Sequence, residues 1–356
     1  MSASMQSQQQ AASAPADLRG QPLVIVGAGI CCAVGYHRAA ASCAMRAGMD
    51  HFQESEFIDR ASEPIKAAML PVGELWGPQR LAHIVEQAVM DCARDAGNIY
   101  TTSTALILLA AEQGRPHTED DRYFEALDAC SRQFRTKFHG SSGIMPKGRA
   151  GLGAALQAAH RLLSENTVAR VLVVGADSYL NAATIEYYLR QDRLQTSNNS
   201  DGFIPGEGAG ALLLELAGPQ SRGLLICGMG RASEAATIDG DLPNRAQGLT
   251  QAIRQACEQA EVAPRQLNYR ITDFNGEKYH AQEISNANTR VMADDGVALP
   301  MITIADCIGE TGAAAGPSML AYLHERLRGP DHPGAVGLLH LGNDDGARTA
   351  LILRAR

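Results

Sequence analysis

Two kinds of hydrophobic run alternate along the chain. Leu23 to Val26, Thr104 to Ala110, Ala169 to Asp177 and Val336 to Asp344 are short and apolar, with few polar interruptions. Such runs suit strands buried on both faces. Longer segments with an apolar residue every three or four positions predict helices around His37 to Ala47, Gln79 to Ala96 and Asp120 to Phe134. From Gly148 to Leu163 the chain carries five alanines and three glycines, which predicts a slim helix able to lie deep inside the protein. Its first amides form a partial positive pole.

That last pattern occurs twice. Gly309-Glu310-Thr311-Gly312-Ala313-Ala314-Ala315-Gly316 opens a second small-residue helix through about Leu327, and the strand and turn of Val336 to Asp344 follow it. A recurrence about 160 residues on predicts an internal duplication. The halves run from Gln21 to about Gly218 and from about Gly223 to Arg356, each a mostly parallel sheet covered by helices. A pseudo-two-fold axis would bring Arg149 and Glu310 to equivalent helix starts. The first strand is expected to end in a tight turn at Gly27-Ala28-Gly29, because the G-x-G-x-x-G spacing of a dinucleotide site is absent.

Composition narrows the function classes. With 45% hydrophobic and 20% charged residues in 356, the chain falls among folded globular proteins. Thirty-nine acidic against thirty-one basic side chains give a net charge of -8, the wrong sign for gripping nucleic acid. Eight scattered cysteines without a C-x-x-C pair point to reduced thiols and a cytoplasmic location. Residues 1–20 are polar and read as a disordered tail. The longest apolar runs fall far short of the roughly 20 residues that span a bilayer. His139 and His160 have no acidic or cysteine partner at ligand spacing, so neither a metal nor a cofactor is expected.

Asp201-Gly202-Phe203-Ile204-Pro205-Gly206-Glu207-Gly208-Ala209-Gly210-Ala211-Leu212-Leu213-Leu214-Glu215 resembles the D-G-F-V-x-G-E-G-A-G-x-L-x-L-E segment of β-ketoacyl-acyl-carrier-protein synthases, which are thiolase-fold condensing enzymes. Val24 to Gly35, Val173 to Ser178, Gly309 to Gly316 and Ala350 to Arg354 are similar to further segments of that family, in the same order. The resemblance implies an α/β thiolase-like fold: two duplicated halves in a layered αβαβα sandwich with mostly parallel sheets. It also implies a homodimer or a heterodimer with a ketosynthase-like chain.

The family's reaction uses a cysteine nucleophile and two histidines. The resemblance places Arg149 at the cysteine, Asn275 at the first histidine and Glu310 at the second. It puts Ala305 at the family's lysine and Asp344 at its gating phenylalanine. A guanidinium stays protonated and offers no nucleophile. No cysteine lies between Cys130 and Cys227 to take its place. His280, five residues beyond Asn275, is a candidate to reach the same cleft, which Phe203, Gly206 and Asp344 are expected to line.

A cation at a helix start wants an acidic partner, so Arg149 is expected either to pair with Glu310 or to meet a carboxylate or phosphate ligand. Lys147 and Lys278 are further candidates for an anionic carrier protein. Three roles follow. The chain is a silent partner or scaffold like a chain-length factor, an acyltransferase or hydrolase working through Glu310, Asn275 or His280, or an adaptor beside a secretion system.

Overall fold

The computed structural model describes residues 18–116, 120–292 and 299–356, the side chains of 120 and 121 excepted. The tail reading for residues 1–17 lies outside these. Leu18 is already buried in the core.

The first half contains β1 (Leu23–Cys32), α1 (Arg38–Arg46), β2 (Phe52–Ile58), β3 (Pro64–Ala68), α2 (Gly77–Ala96), β4 (Thr104–Ala110), α3 (Asp120–Gln133), β5 (Gly143–Pro146), α4 (Gly151–Ser164), β6 (Arg170–Ser178), α5 (Ala182–Arg190) and β7 (Glu207–Leu216). The second contains β8 (Leu224–Ser233), α6 (Gln247–Ala260), β9 (Tyr269–Thr272), α7 (Lys278–Val291), β10 (Met301–Ile302), α8 (Ala305–Ile308), α9 (Ala315–Arg326), β11 (Val336–Gly342) and β12 (Ala347–Ala355).

Both halves weave the same sheet. Strand order is β5-β4-β6-β7-β1 in the first and β10-β9-β11-β12-β8 in the second. In each, the outer three strands pair in parallel and the fourth in this order is reversed between its neighbours, so four of five strands point one way. β1 and β8 join the halves through the pairs Leu23↔Ile226 and Val24↔Leu225.

Side-chain alternation builds the layers. Val171 and Val173 face a central core, while Leu172 and Val174 face an outer core shared with α2 and α3. On β12, Leu351 and Leu353 enter the same central core, and Ala350 and Ile352 pack with residues of α6 and α7. The two five-stranded halves of this ten-stranded sheet thus enclose α4 and α9 between them, in the αβαβα arrangement of a thiolase-like sandwich. Every residue of α9 from Ala315 to His324 is buried.

One expectation is corrected. β1 does not turn at Gly27 to Gly29 but runs on to Cys32. A Cβ at Gly29 would lie 2.0 Å from the Ala88 carbonyl oxygen and 2.6 Å from the Cys92 nitrogen. These glycines let the backbone of α2 lie directly on the strand. The Asp201 to Gly210 segment likewise passes into a strand at Glu207, and at Gly210 a Cβ would meet the Ser318 nitrogen of α9 at 2.4 Å.

Candidate functional site

Loops at the carboxyl ends of the parallel strands converge where the halves meet, the usual position of sites in α/β sheets. β5 leads to Arg149, β9 to Asp273, Asn275 and Glu277, β11 to Asn343 and Asp344, and the α8–α9 connection supplies Glu310. Arg193 enters from the loop after α5.

Arg149 sits just ahead of α4 and is 5% exposed. Its Nη1 lies 2.6 Å from Glu310 Oε2, its Nη2 3.3 Å from Asp344 Oδ1 and its Nε 3.7 Å from Asp273 Oδ2. Asn275 Nδ2 donates to the same Glu310 oxygen at 2.9 Å and to Glu277 Oε2 at 3.0 Å. Arg193 grips Glu277 with Nε and Nη2 at 2.7 and 2.9 Å, and Asp344 Oδ2 with Nη1 at 2.7 Å. Two guanidiniums and four carboxyls therefore form one buried network. Burial works against these charges, yet Glu310, Asp273 and Asp344 hold the Arg149 guanidinium protonated, and Arg149 and Arg193 keep Asp344 well below the usual carboxylate range.

The amides at the two buried helix starts are already satisfied. Asn343 Oδ1 accepts from the Ala150 amide at 2.8 Å, Glu310 Oε1 from Gly312 at 2.8 Å, and Asp177 Oδ2 from Ala313 at 3.0 Å. Asp177 is itself paired with the buried Arg115, whose guanidinium lies 4.1 Å from the Tyr179 ring centroid. An oxyanion arriving here finds these donors taken.

His280 is 6% exposed, with Nε2 3.6 Å from Glu277 Oε2 and without a hydrogen bond. Burial, reinforced by Arg149, pushes its pKa well down, so the ring is neutral and enclosed. Phe203 is 1% exposed in an aromatic cluster with Tyr179 and Tyr188. Gly206 donates its amide to the Glu310 carbonyl, while Lys147 and Lys278 are exposed. Cys130 is 1% exposed on α3, its thiol pushed up to about 12 by burial. Arg193 and Glu277 carried no sequence signal beyond their charge. Glu207, buried below the site, binds Arg80 and the Leu70 amide.

Asp273 gives the network a pH dependence. Burial lifts its carboxyl to about 6 against the pull of Arg149 and the Gly342 amide. A carboxyl raised on folding adds stability below its unfolded value, and that stability is lost as pH climbs through the folded value. Asp273→Asn removes the loss, so the variant is expected to gain on the wild type by about 1–3 kcal/mol between about pH 4 and pH 8. Urea unfolding at both pH values measures this, and a pH-independent difference contradicts it.

A scan against protein-family models and a search of curated proteins each return no match. Solved structures do match. A β-ketoacyl synthase from Burkholderia phymatum STM815 is 17% identical with a TM-score of 0.72, covering 94% of this chain and 100% of that one. A ketosynthase in complex with its chain length factor from Xenorhabdus doucetiae is 15% identical with a TM-score of 0.71, covering 94% and 98%. A chain from a type II polyketide acyl-carrier protein in complex with its hexaketide-bound ketosynthase is 16% identical with a TM-score of 0.76, covering 94% and 99%. The chain has the thiolase-like fold of ketosynthases and chain length factors.

Proposed function

We propose that this chain is a ketosynthase homologue without condensing chemistry, and that it works as a partner or scaffold for a ketosynthase-like chain. The observation carrying this reading is the Arg149–Glu310 pair, 2.6 Å apart, with Asn275 bonded to the same carboxylate. Three positions that the resemblance assigns to the nucleophile and the two histidines come from separate segments, yet they meet in one hydrogen-bonded cluster. Meeting there supports the residue-by-residue correspondence. None of the three offers a nucleophile while so engaged.

The partner role draws on two of the similar structures, one a ketosynthase with its chain length factor and one a ketosynthase with its acyl-carrier protein. On this reading the two halves join between residues 218 and 223, and Phe203, Gly206 and Asp344 mark the remnant of the ancestral cleft. An acyltransferase or hydrolase using Glu310, Asn275 or His280 would need one of them to meet a substrate. Glu310 is 4% exposed and His280 6%.

Purified protein given malonyl-CoA and malonyl-loaded carrier protein is expected to release carbon dioxide no faster than buffer alone. Co-purification followed by native mass spectrometry is expected to give a one-to-one complex with an intact ketosynthase-like chain. Decarboxylation by the wild type overturns the silent reading, and failure to associate overturns the partner role.

A further inference from the structure

The hairpin of β2 and β3 borders a feature that the Arg149 network does not use. Between it and the loop that leads from β3 to α2 lies a cavity of about 300 Å³. Its walls include Glu56 and Phe57 of β2, Leu70, Pro71 and Trp76 of the loop, and Leu180 just beyond β6. Trp76 is the single tryptophan of the chain and is 56% exposed. Folding alone does not account for that, since a tryptophan normally buries most of its ring.

The loop is held at two points. Leu70 donates its amide to Glu207 Oε1 at 2.9 Å, and the Tyr36 hydroxyl donates to the Pro71 carbonyl at 2.9 Å. The result is a largely apolar, preformed hollow of small-molecule size. Its charge favours a cation. Arg80 also lines the cavity, but its guanidinium is engaged by Glu207 and by the Leu70 and Leu75 carbonyls. Glu56 and Glu74 are exposed, and among the described residues neither makes an ion pair or a side-chain hydrogen bond. Lys66 stands opposite Glu54 in the hairpin register and is not part of the cavity wall. An uncompensated carboxylate beside an indole and an aliphatic wall suits a charged head on an apolar stem, the head held by Coulomb attraction and the ring face and the stem by burial.

We propose that this cavity binds a small organic cation, an ammonium or guanidinium group on a short apolar stem. The head lies between Glu56 and the Trp76 ring, and the stem along Leu70, Pro71 and Leu180. A carboxylate head is repelled by Glu56 and Glu74, and a neutral head gains only the burial of its stem.

Trp76 emission reports on this cavity alone, because the full chain has no other tryptophan. Titration with hexylguanidinium, hexanol and hexanoate at matched ionic strength compares three heads on one stem. Hexylguanidinium is expected to shift the emission saturably and to bind roughly tenfold more tightly than hexanol, while hexanoate gives no saturable change. Glu56→Gln, at an exposed position, is expected to weaken hexylguanidinium binding by roughly fivefold and to leave hexanol binding and the melting temperature unchanged. Equal affinity for hexanol and hexylguanidinium, saturable binding of hexanoate, no saturable change with any of the three, or full affinity in Glu56→Gln overturns the proposal.

Discussion

Glu310→Ala is expected to lower the free energy of unfolding by about 3–5 kcal/mol, the cost of breaking a buried ion pair from one side. Arg149 and Glu310 are 5% and 4% exposed, so water cannot replace the lost carboxylate. The same substitution strips the Gly312 amide and the Asn275 carboxamide of an acceptor. Asp344 and Asp273 remain near Arg149, at 3.3 and 3.7 Å, which keeps the loss within that range. Glu310→Gln is expected to lose less, because it retains acceptors for Gly312 and for one guanidinium N–H. Urea unfolding followed by circular dichroism measures both. A loss below about 1 kcal/mol for the alanine variant would mean that the pair does not join the halves.

Arg193→Met is expected to cost a similar amount, about 3–5 kcal/mol near neutral pH. The thioether fills much of the space but leaves Glu277 and Asp344 without the cation that both of them grip. Glu277 is 3% exposed, and its remaining neighbours are the Asn275 amide and the neutral His280. Arg193 is one of the two cations that hold Asp344 below the usual carboxylate range. Without it the folded pKa of Asp344 rises, so the variant's deficit is expected to shrink as pH falls from about 8 to about 5. Unfolding curves across that range separate this electrostatic loss from simple packing loss, which is flat with pH. A deficit equal at both ends contradicts the assignment.

Much of the sandwich was legible because its strands are buried on both faces and its inner helices are built from small residues. Val171 to Val174 read as a strand from composition alone, and their alternate side chains do enter two different cores. The recurrence of small-residue helix starts pointed to Arg149 and Glu310 as equivalent positions. The polar hairpin of β2 and β3 escaped notice because FQESEFI mixes exposed and half-buried positions without an apolar stripe. Gly27 and Gly29 misled for a related reason. A glycine required by the approach of a helix has the same sequence signature as one required by a turn.

Within the site, Arg193 was the principal omission. It lies in a polar stretch where a charged residue normally faces water, and its partners Glu277 and Asp344 are 84 and 151 residues away. Only tertiary approach makes it buried. His280, five residues beyond Asn275, does come to lie 3.6 Å from Glu277 Oε2, and burial, reinforced by Arg149, pushes its pKa well down.

The account turns on Arg149 standing where a nucleophile stood, and intact-protein mass spectrometry tests that most directly. Wild type and Arg149→Cys are incubated with acyl-CoA and acyl-loaded carrier protein, then weighed. The account predicts no adduct on the wild type and one acyl group on the variant, at residue 149. An adduct on the wild type would contradict it, as would a folded Arg149→Cys variant that stays unmodified.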